Sequence, residues 1–118
     1  MHELFDIACN FTSDQFNKDL DETIERAINN NVSKFLIVSA SLGDHKKIQE
    51  IYKKYTSNCI FTLGTHPHHA SEINDDEIKK MRALIQELNP SAIGETGLDF
   101  FRNISTYEKQ LFAFDEQI

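Results

Sequence analysis

The stretch AIGETGLDF at residues 92–100 decides how the rest of the chain is interpreted. A short apolar run ends at Gly94, a carboxylate follows at Glu95, and Gly97 opens a turn. This pattern is typical of the carboxyl end of a β-strand, where glycine leaves the backbone uncrowded. Open α/β sheets and α/β barrels carry their chemistry at that end. We therefore predict a functional role for Glu95, with a solvated loop carboxylate as the alternative.

Two earlier polar clusters accompany apolar runs in the same way. Residues 6–10 adjoin the run that starts at Leu4, and residues 65–69, which read THPHH, follow the run at residues 60–64. The carboxyl ends of parallel strands lie at one edge of a sheet. We therefore expect these clusters to share a pocket with Glu95.

The histidine-rich segment supplies His66 and His68 as candidate functional residues. Neutral imidazoles bind metal ions and protonated ones bind phosphate, and Pro67 restricts the loop between them. The alternative is that both are ordinary surface residues. Arg102 is a further candidate, because a guanidinium group and the free N–H groups of a following helix start both bind anions. Its alternative is a surface arginine.

The chain alternates predicted strands and predicted helices four times. Short apolar runs indicate strands that begin near residues 4, 35, 60 and 91, and apolar residues at helical spacing follow each of them. The run at residues 35–38 is continuously apolar, which is typical of a strand buried on both faces. The strands recur about every 30 residues, the length of one βα unit, so we predict a parallel sheet.

Capping patterns predict the limits of the later helices. Asn74 and Ser105 are each followed by glutamate three residues later, which is the spacing of a capping box. The Asn-Pro pair at residues 89–90 ends the third helix, because proline disfavours a helical conformation in the residue before it. The fourth helix is predicted to include Ile118.

Four βα units correspond to half of a larger architecture. Eight such units close into a (β/α)8 TIM-type barrel at about 250 residues, whereas this chain has 118 residues. We therefore predict an α/β fold in which residues 1–118 form the amino-terminal half of such a barrel, truncated in the fourth helix.

Charge and hydropathy exclude several classes of protein. The net charge of −7 argues against a general nucleic-acid coat protein, because nonspecific affinity for a polyanion comes mainly from clustered lysine and arginine. It is compatible with an enzyme that binds phosphate through a metal ion. The chain has no apolar run near the roughly 20 residues of a membrane span and begins without the features of a signal peptide. We predict a cytoplasmic protein with no membrane partner.

The two cysteines carry little functional signal. Cys9 lies just after one predicted strand and Cys59 just before another. We therefore expect them at opposite ends of the sheet and unpaired, as is usual in a reducing compartment.

Three motifs together resemble the TatD family of metal-dependent deoxyribonucleases. They are DIACNFTS at residues 6–13, GTHPH at residues 64–68, and IGETGLDF at residues 93–100, the last followed by RN at residues 102–103 and ST at residues 105–106. They occur in the order of the family and at similar spacing, and the resemblance covers essentially the whole chain. The glycine-glutamate motif is highly specific, and the His-Pro-His motif is moderately so.

The resemblance implies a (β/α)8 barrel, a divalent metal ion and hydrolysis of DNA with an accessible end, including single-stranded DNA. Mg²⁺ is the expected ion, with Mn²⁺ or Zn²⁺ as alternatives. Glu95 matches the metal-binding carboxylate at the end of the fourth strand. His66 and His68 would orient the phosphate or protonate the leaving oxygen, and Arg102 and Asn10 would bind phosphate.

The chain departs from the family pattern in two ways. Many relatives have a His-x-His pair of metal ligands after the first strand, but here these positions are Ala8 and Asn10, and we predict no metal ligand at either position. The subgroup most like TatD itself shares the asparagine. The remaining family ligands, two histidines and an aspartate, follow later strands that this chain does not contain. We therefore expect the missing carboxyl-terminal half-barrel to be a partner that completes the site.

Two alternative functions stay open from the sequence. The same barrel hosts many reactions, so a metal-dependent amide or ester hydrolase is one alternative. The other is an inactive half-barrel, either a fragment or an interaction module, which would self-associate through an exposed apolar sheet edge. For the isolated 118 residues we expect no activity.

Overall fold

Four parallel strands form the centre of the molecule. A computed structural model describes residues 2–118. Each strand is hydrogen-bonded to the next one along the chain, and the sheet curls as half of a TIM-type barrel. The strands are β1 (Leu4–Cys9), β2 (Val32–Ile37), β3 (Cys59–Leu63) and β4 (Ala92–Ile93). The predicted parallel half-barrel is therefore confirmed.

A helix follows each strand, as the alternation predicts. The helices are α1 (Leu20–Asn29), α2 (His45–Lys54), α3 (Asp75–Leu88) and α4 (Tyr107–Asp115). Phe16, which the spacing assigns to the first helix, lies instead in a short 3₁₀ turn at Asp14–Phe16. There its ring packs edge-on against Phe11, with 5.6 Å between the ring centroids.

The limits of α3 follow the predicted capping pattern. Asn74 Oδ1 accepts a hydrogen bond from the Glu77 N–H at 3.0 Å, which satisfies one of the free donors at the start of the helix. Asn89 ends the helix in a left-handed conformation with φ of 49°. Asparagine tolerates that conformation better than most residues.

Both predicted limits of α4 were wrong. The N-cap is Thr106, whose Oγ1 accepts from the Lys109 N–H at 3.4 Å. Ser105 is unavailable as a cap because it is buried and its hydroxyl donates to the His68 carbonyl at 3.2 Å. At the other end, α4 stops at Asp115, because the Gln117 N–H turns back to the Phe114 carbonyl in a tighter turn at 3.0 Å.

The strand predictions also needed two corrections. The fourth strand, predicted to begin near residue 91, pairs only at Ala92–Ile93, and the chain leaves the sheet after the Gly94 N–H donates to the Leu63 carbonyl at 2.9 Å. The second strand was predicted to be buried on both faces, but only one face is covered. Phe35 and Ile37 are buried beneath the helices, whereas Leu36 between them is half-buried.

The two faces of the sheet are unequally covered. The helix-covered face forms a continuous core in which Ile24, Ile48 and Leu63 are fully buried. Large apolar side chains elsewhere on the strands are 39% to 68% exposed: Leu4, Phe5, Ile7, Ile60 and Ile93. Among them, Ile60 pairs with Leu36 on the uncovered face, and in a complete barrel it would face a packed interior.

The cysteines are free, as expected, but they are not at opposite ends of the sheet. The strand register sets Cys9 opposite Ile37 and Cys59 opposite Phe35, only two residues apart along β2. The prediction failed because it ignored the stagger between strands. Burial raises the pKa of Cys59 to about 11 and that of Cys9 to about 12, so both are neutral thiols.

Within residues 2–118, no helix has the length and hydropathy needed to cross a membrane.

Candidate active site

A pocket opens where the carboxyl ends of the four strands meet. Its cavity has a volume of about 280 Å³, and residues from the end of every strand line it. Four of the five predicted site residues are among them: Asn10, His66, His68 and Glu95. The remaining lining residues are Ala8, Val38, Ala40 and His69. The structure thus brings the three predicted clusters together, while the chemical role of each residue stays a prediction.

Glu95 faces His66 across this pocket. The Glu95 Oε1 and the His66 Nε2 are 3.6 Å apart, and about half of the Glu95 side chain is exposed. The backbone fixes the position of the carboxylate, because the Glu95 N–H donates to the Ser39 carbonyl at 2.9 Å. A buried network extends beneath it, in which Thr62 Oγ1 donates to the Gly94 carbonyl at 2.6 Å. Glu95 is therefore held at its main chain and open at its side chain.

Gly64 and Gly94 allow the ends of β3 and β4 to approach closely. A Cβ atom at Gly64 would lie 2.6 Å from the backbone of Gly94, which is shorter than any real contact. Gly94 itself has φ of 156°, a conformation that favours glycine. These two glycines explain how Glu95 comes so near to the loop that carries His66.

His66 is a neutral hydrogen-bond donor in this geometry. Its Nδ1 accepts from the His68 N–H at 3.1 Å, so the proton of the neutral imidazole resides on Nε2, the atom that faces Glu95. Burial is the main cause that lowers the pKa of His66, and the nearby His68 and His69 lower it further against the opposing effect of Glu95. His66 can therefore donate a proton in a hydrogen bond without carrying charge.

His68 forms a second, tighter pair with Asp99. The His68 Nε2 and the Asp99 Oδ2 are 2.8 Å apart. The Arg102 N–H donates to the other carboxylate oxygen at 2.9 Å, and this bond, followed by the contact with His68, lowers the pKa of Asp99. The rings of His66 and His68 lie edge to face with 4.3 Å between their centroids. The two imidazole pairs are therefore in direct contact.

Arg102 lies outside the pocket lining. Its side chain is 65% exposed, and its guanidinium group is 3.5 Å from the Asp99 carboxylate.

Sequence reasoning thus located Arg102 near the site but gave no role to Asp99, although Asp99 belongs to the same motif. It also missed Gln110 and Gln117, which bind the backbone of the two site loops. The only signal for this pair is a seven-residue spacing, which would place both on one face of the predicted fourth helix, although α4 itself ends at Asp115.

The donors for a metal ion are only partly present in residues 2–118. Glu95 and His66 converge, but no group of three or more histidine, cysteine, aspartate or glutamate side chains could hold an ion within those residues. Firm binding of a divalent ion needs several protein ligands. This half of a site therefore fits a metal centre only if further ligands come from elsewhere.

Comparison with known proteins decides the family. A family model described as TatD related DNase matches residues 5–118. The chain belongs to this family. Among curated TatD relatives, it is 45% identical over 115 residues to the 3'-5' ssDNA/RNA exonuclease TatD of Cronobacter sakazakii and 39% identical to that of Pantoea ananatis. The predicted family is therefore confirmed.

Solved structures of TatD proteins show the same fold. A TatD family hydrolase from Entamoeba histolytica superposes with a TM-score of 0.86 at 30% identity, over 98% of this chain and 44% of that one. A TatD homolog from Escherichia coli K12 gives 0.86 at 23% identity, over 97% and 44%, which supports the fold alone. The matches to the two curated relatives cover 98% of this chain but only 43% and 44% of theirs. The chain thus spans less than half the length of these relatives.

Proposed function

We propose that this chain supplies the amino-terminal half of the active site of a metal-dependent nuclease that hydrolyses DNA phosphodiester bonds. One observation carries the proposal: the Glu95 carboxylate faces His66 at 3.6 Å in a pocket formed by the carboxyl ends of parallel strands. TatD relatives named as 3'-5' ssDNA/RNA exonucleases support a substrate with a free single-stranded end.

The proposed cofactor is a divalent ion, with Mg²⁺ preferred over Mn²⁺ or Zn²⁺ because the assigned ligand is a carboxylate. Glu95 would be one ligand, and the others would come from a carboxyl-terminal half-barrel outside these residues. When bound, such an ion stabilises charge on phosphoryl oxygens and acidifies a water molecule. The open side chain of Glu95 supports this assignment.

The histidines of this chain would handle the phosphate and the leaving group. The Nε2–H of His66 is available to a phosphoryl oxygen, because Nδ1 is already engaged by the His68 N–H. Asp99 accepts the Nε2–H of His68, so Nδ1 is the atom left to meet the leaving oxygen. Nδ1 would protonate that oxygen from the imidazolium form of the ring, which would then remain neutral with its proton on Nε2.

Two further residues would bind the polyanion. Asn10 lies in the pocket, and its side-chain amide is suited to a phosphoryl oxygen. Arg102 lies outside the pocket with an exposed guanidinium group, which is suited to the next phosphate along the strand. The two roles differ in position, and both are part of the proposal.

A chimera tests the function. In it, this chain replaces the matching segment of the Cronobacter sakazakii relative, and the protein is assayed on end-labelled single-stranded DNA with and without Mg²⁺. We expect metal-dependent cleavage that falls by about 100-fold or more in Glu95→Ala, since even residues behind metal ligands contribute about 10- to 100-fold. Glu87→Ala, an exposed change on α3, is the matched control and should cleave normally.

Other outcomes of that assay would favour the alternatives. Full activity in Glu95→Ala would remove the role of Glu95. Hydrolysis of an amide or ester substrate with DNA left intact would favour the other hydrolase class. The isolated chain is expected to be inactive, because its described residues lack a complete set of metal ligands.

A further inference from the structure

Two buried glutamines make the same pair of contacts with two different loops. The side-chain Oε1 of Gln110 accepts from the Asp99 N–H at 2.8 Å, while its Nε2 donates to the Asp99 carbonyl at 3.2 Å. Gln117 repeats this with Thr65, accepting from its N–H at 2.7 Å and donating to its carbonyl at 3.3 Å. Each amide thus pairs with both backbone groups of one residue.

The second N–H of each glutamine side chain also donates a hydrogen bond. The Nε2 of Gln110 donates to the Ser105 carbonyl and that of Gln117 to the Ala113 carbonyl, both at 2.8 Å. The two residues are only 1% and 9% exposed. A buried amide with all its groups paired fixes the orientation of its partners, because any other arrangement leaves a polar group unsatisfied.

The two loops held in this way carry the two imidazole pairs. Asp99, held by Gln110, binds the His68 Nε2 at 2.8 Å. Thr65, held by Gln117, directly precedes His66, whose Nε2 faces Glu95 at 3.6 Å. Thr65 and Asp99 both lie outside regular strands and helices. The nearest backbone tie to the sheet at Thr65 is made by its neighbour, because the His66 N–H donates to the Ala40 carbonyl at 2.9 Å.

We propose that Gln110, in α4, and Gln117, in the turn that follows it, are positioning residues that set the geometry of the site. Gln110 holds Asp99 where it can orient His68, and Gln117 holds the segment that presents His66 to Glu95. The catalytic meaning of this arrangement rests on the proposed nuclease function. The geometric claim does not, and the two are tested separately.

Methionine variants test the geometric claim in the 118-residue chain. Gln110→Met and Gln117→Met keep the length of the side chain and remove its hydrogen bonds. Imidazole nitrogen NMR signals report the environment of each histidine. We expect Gln110→Met to shift the signals of His68 by more than those of His66, and Gln117→Met to do the reverse. Gln86→Met, on the exposed face of α3, should shift neither.

This pattern separates a positioning role from general support of the fold. Equal shifts of both histidines in both variants, or no shift in either, would overturn the proposal. Amide hydrogen exchange in the unmodified chain decides the question if the variants do not fold. The Thr65 and Asp99 amides should then exchange at least about 100-fold more slowly than the amide of Phe101, a residue that is 97% exposed. Exchange as fast as that of Phe101 would also overturn it.

Kinetics in the chimera then test the catalytic meaning. Each methionine variant should lower kcat by about 10- to 100-fold, the range known for groups that orient the ligands of a metal site, with a smaller change in KM. Unchanged kcat in both variants would remove the catalytic meaning. An inactive parent chimera would refute the nuclease function, whereas the NMR and exchange results would still decide the positioning claim.

Discussion

The two imidazole and carboxylate pairs of the site differ in how completely they are satisfied. Asp99 is bound by both His68 and the Arg102 N–H, and its side chain is 18% exposed. Glu95 is 3.6 Å from His66, and its side chain is 52% exposed. A carboxylate that is already hydrogen-bonded orients its neighbour, whereas an open one can take a ligand. The contrast supports the proposal that Glu95 binds the metal ion and that Asp99 supports His68.

The largest expected effect is on the metal requirement of cleavage, which should change in a Glu95 variant but not in an Asp99 variant. In the chimera, Glu95→Gln should raise the Mg²⁺ concentration for half-maximal cleavage by roughly 10-fold or more, because an amide is a weaker ligand than a carboxylate. Asp99→Asn should leave that concentration unchanged and lower kcat at saturating Mg²⁺ by about 10-fold. A titration of activity against Mg²⁺ measures both values. An equal change of metal requirement in the two variants would show that the pairs are not distinct.

The Glu95 pair was the more predictable of the two from the sequence. Each apolar run ends in polar residues, and the rule that parallel strands share one carboxyl edge was enough to bring Glu95 to His66. Other local patterns predicted the parallel half-barrel and the cap at Asn74. These features depend on local patterns and on a single topological rule.

The Asp99 pair could not be predicted in the same way. Asp99 reaches His68 through a loop, and no periodic pattern describes where a loop residue points. The contacts of Gln110 and Gln117 depend on the packing of α4 against the site loops. The position of Cys59 was missed for a related reason, since the stagger between β2 and β3 is a property of the assembled sheet. Long-range packing decides all of these.

A smaller effect is expected on protein stability when Gly64→Ala disturbs the strand end that carries Glu95. Gly64→Ala places a methyl group within 2.6 Å of the Gly94 backbone, so the end of β4 must move. Overpacking of this kind costs about 1–3 kcal/mol in the free energy of unfolding, which urea denaturation measures. Gly43→Ala is the matched control, because its added methyl group lies 3.6 Å from Ser41 Oγ, an ordinary contact. Equal stability of the two variants would contradict the close approach.

The Gly64→Ala variant also tests whether the two pairs are independent. The imidazole signals of His66 should move, because the adjoining strand ends separate. Those of His68 should change less, since Asp99 and Gln110 hold it from the other side. Equal displacement of both histidines would mean that the pairs behave as one unit.

The smallest expected effect is the acid dependence of the Asp99 pair. The Arg102 N–H, followed by His68, holds the pKa of Asp99 below its ordinary value of 3.8. The folded carboxyl group therefore releases its proton at lower pH than the unfolded one. Its contribution to stability is complete above about pH 3.8 and is lost as the pH falls through the folded value. NMR titration of the carboxyl carbon should show this lowered midpoint.

Arg102→Ala sharpens that measurement, because it removes the guanidinium group but keeps the backbone N–H that binds Asp99 at 2.9 Å. We expect the midpoint of Asp99 in this variant to stay below 3.8 and close to that of the unmodified chain. A return to 3.8 would make the guanidinium group the main cause. Arg102 would then be engaged by Asp99 and less available for phosphate, so the same titration also bears on its proposed role at the exposed edge of the site.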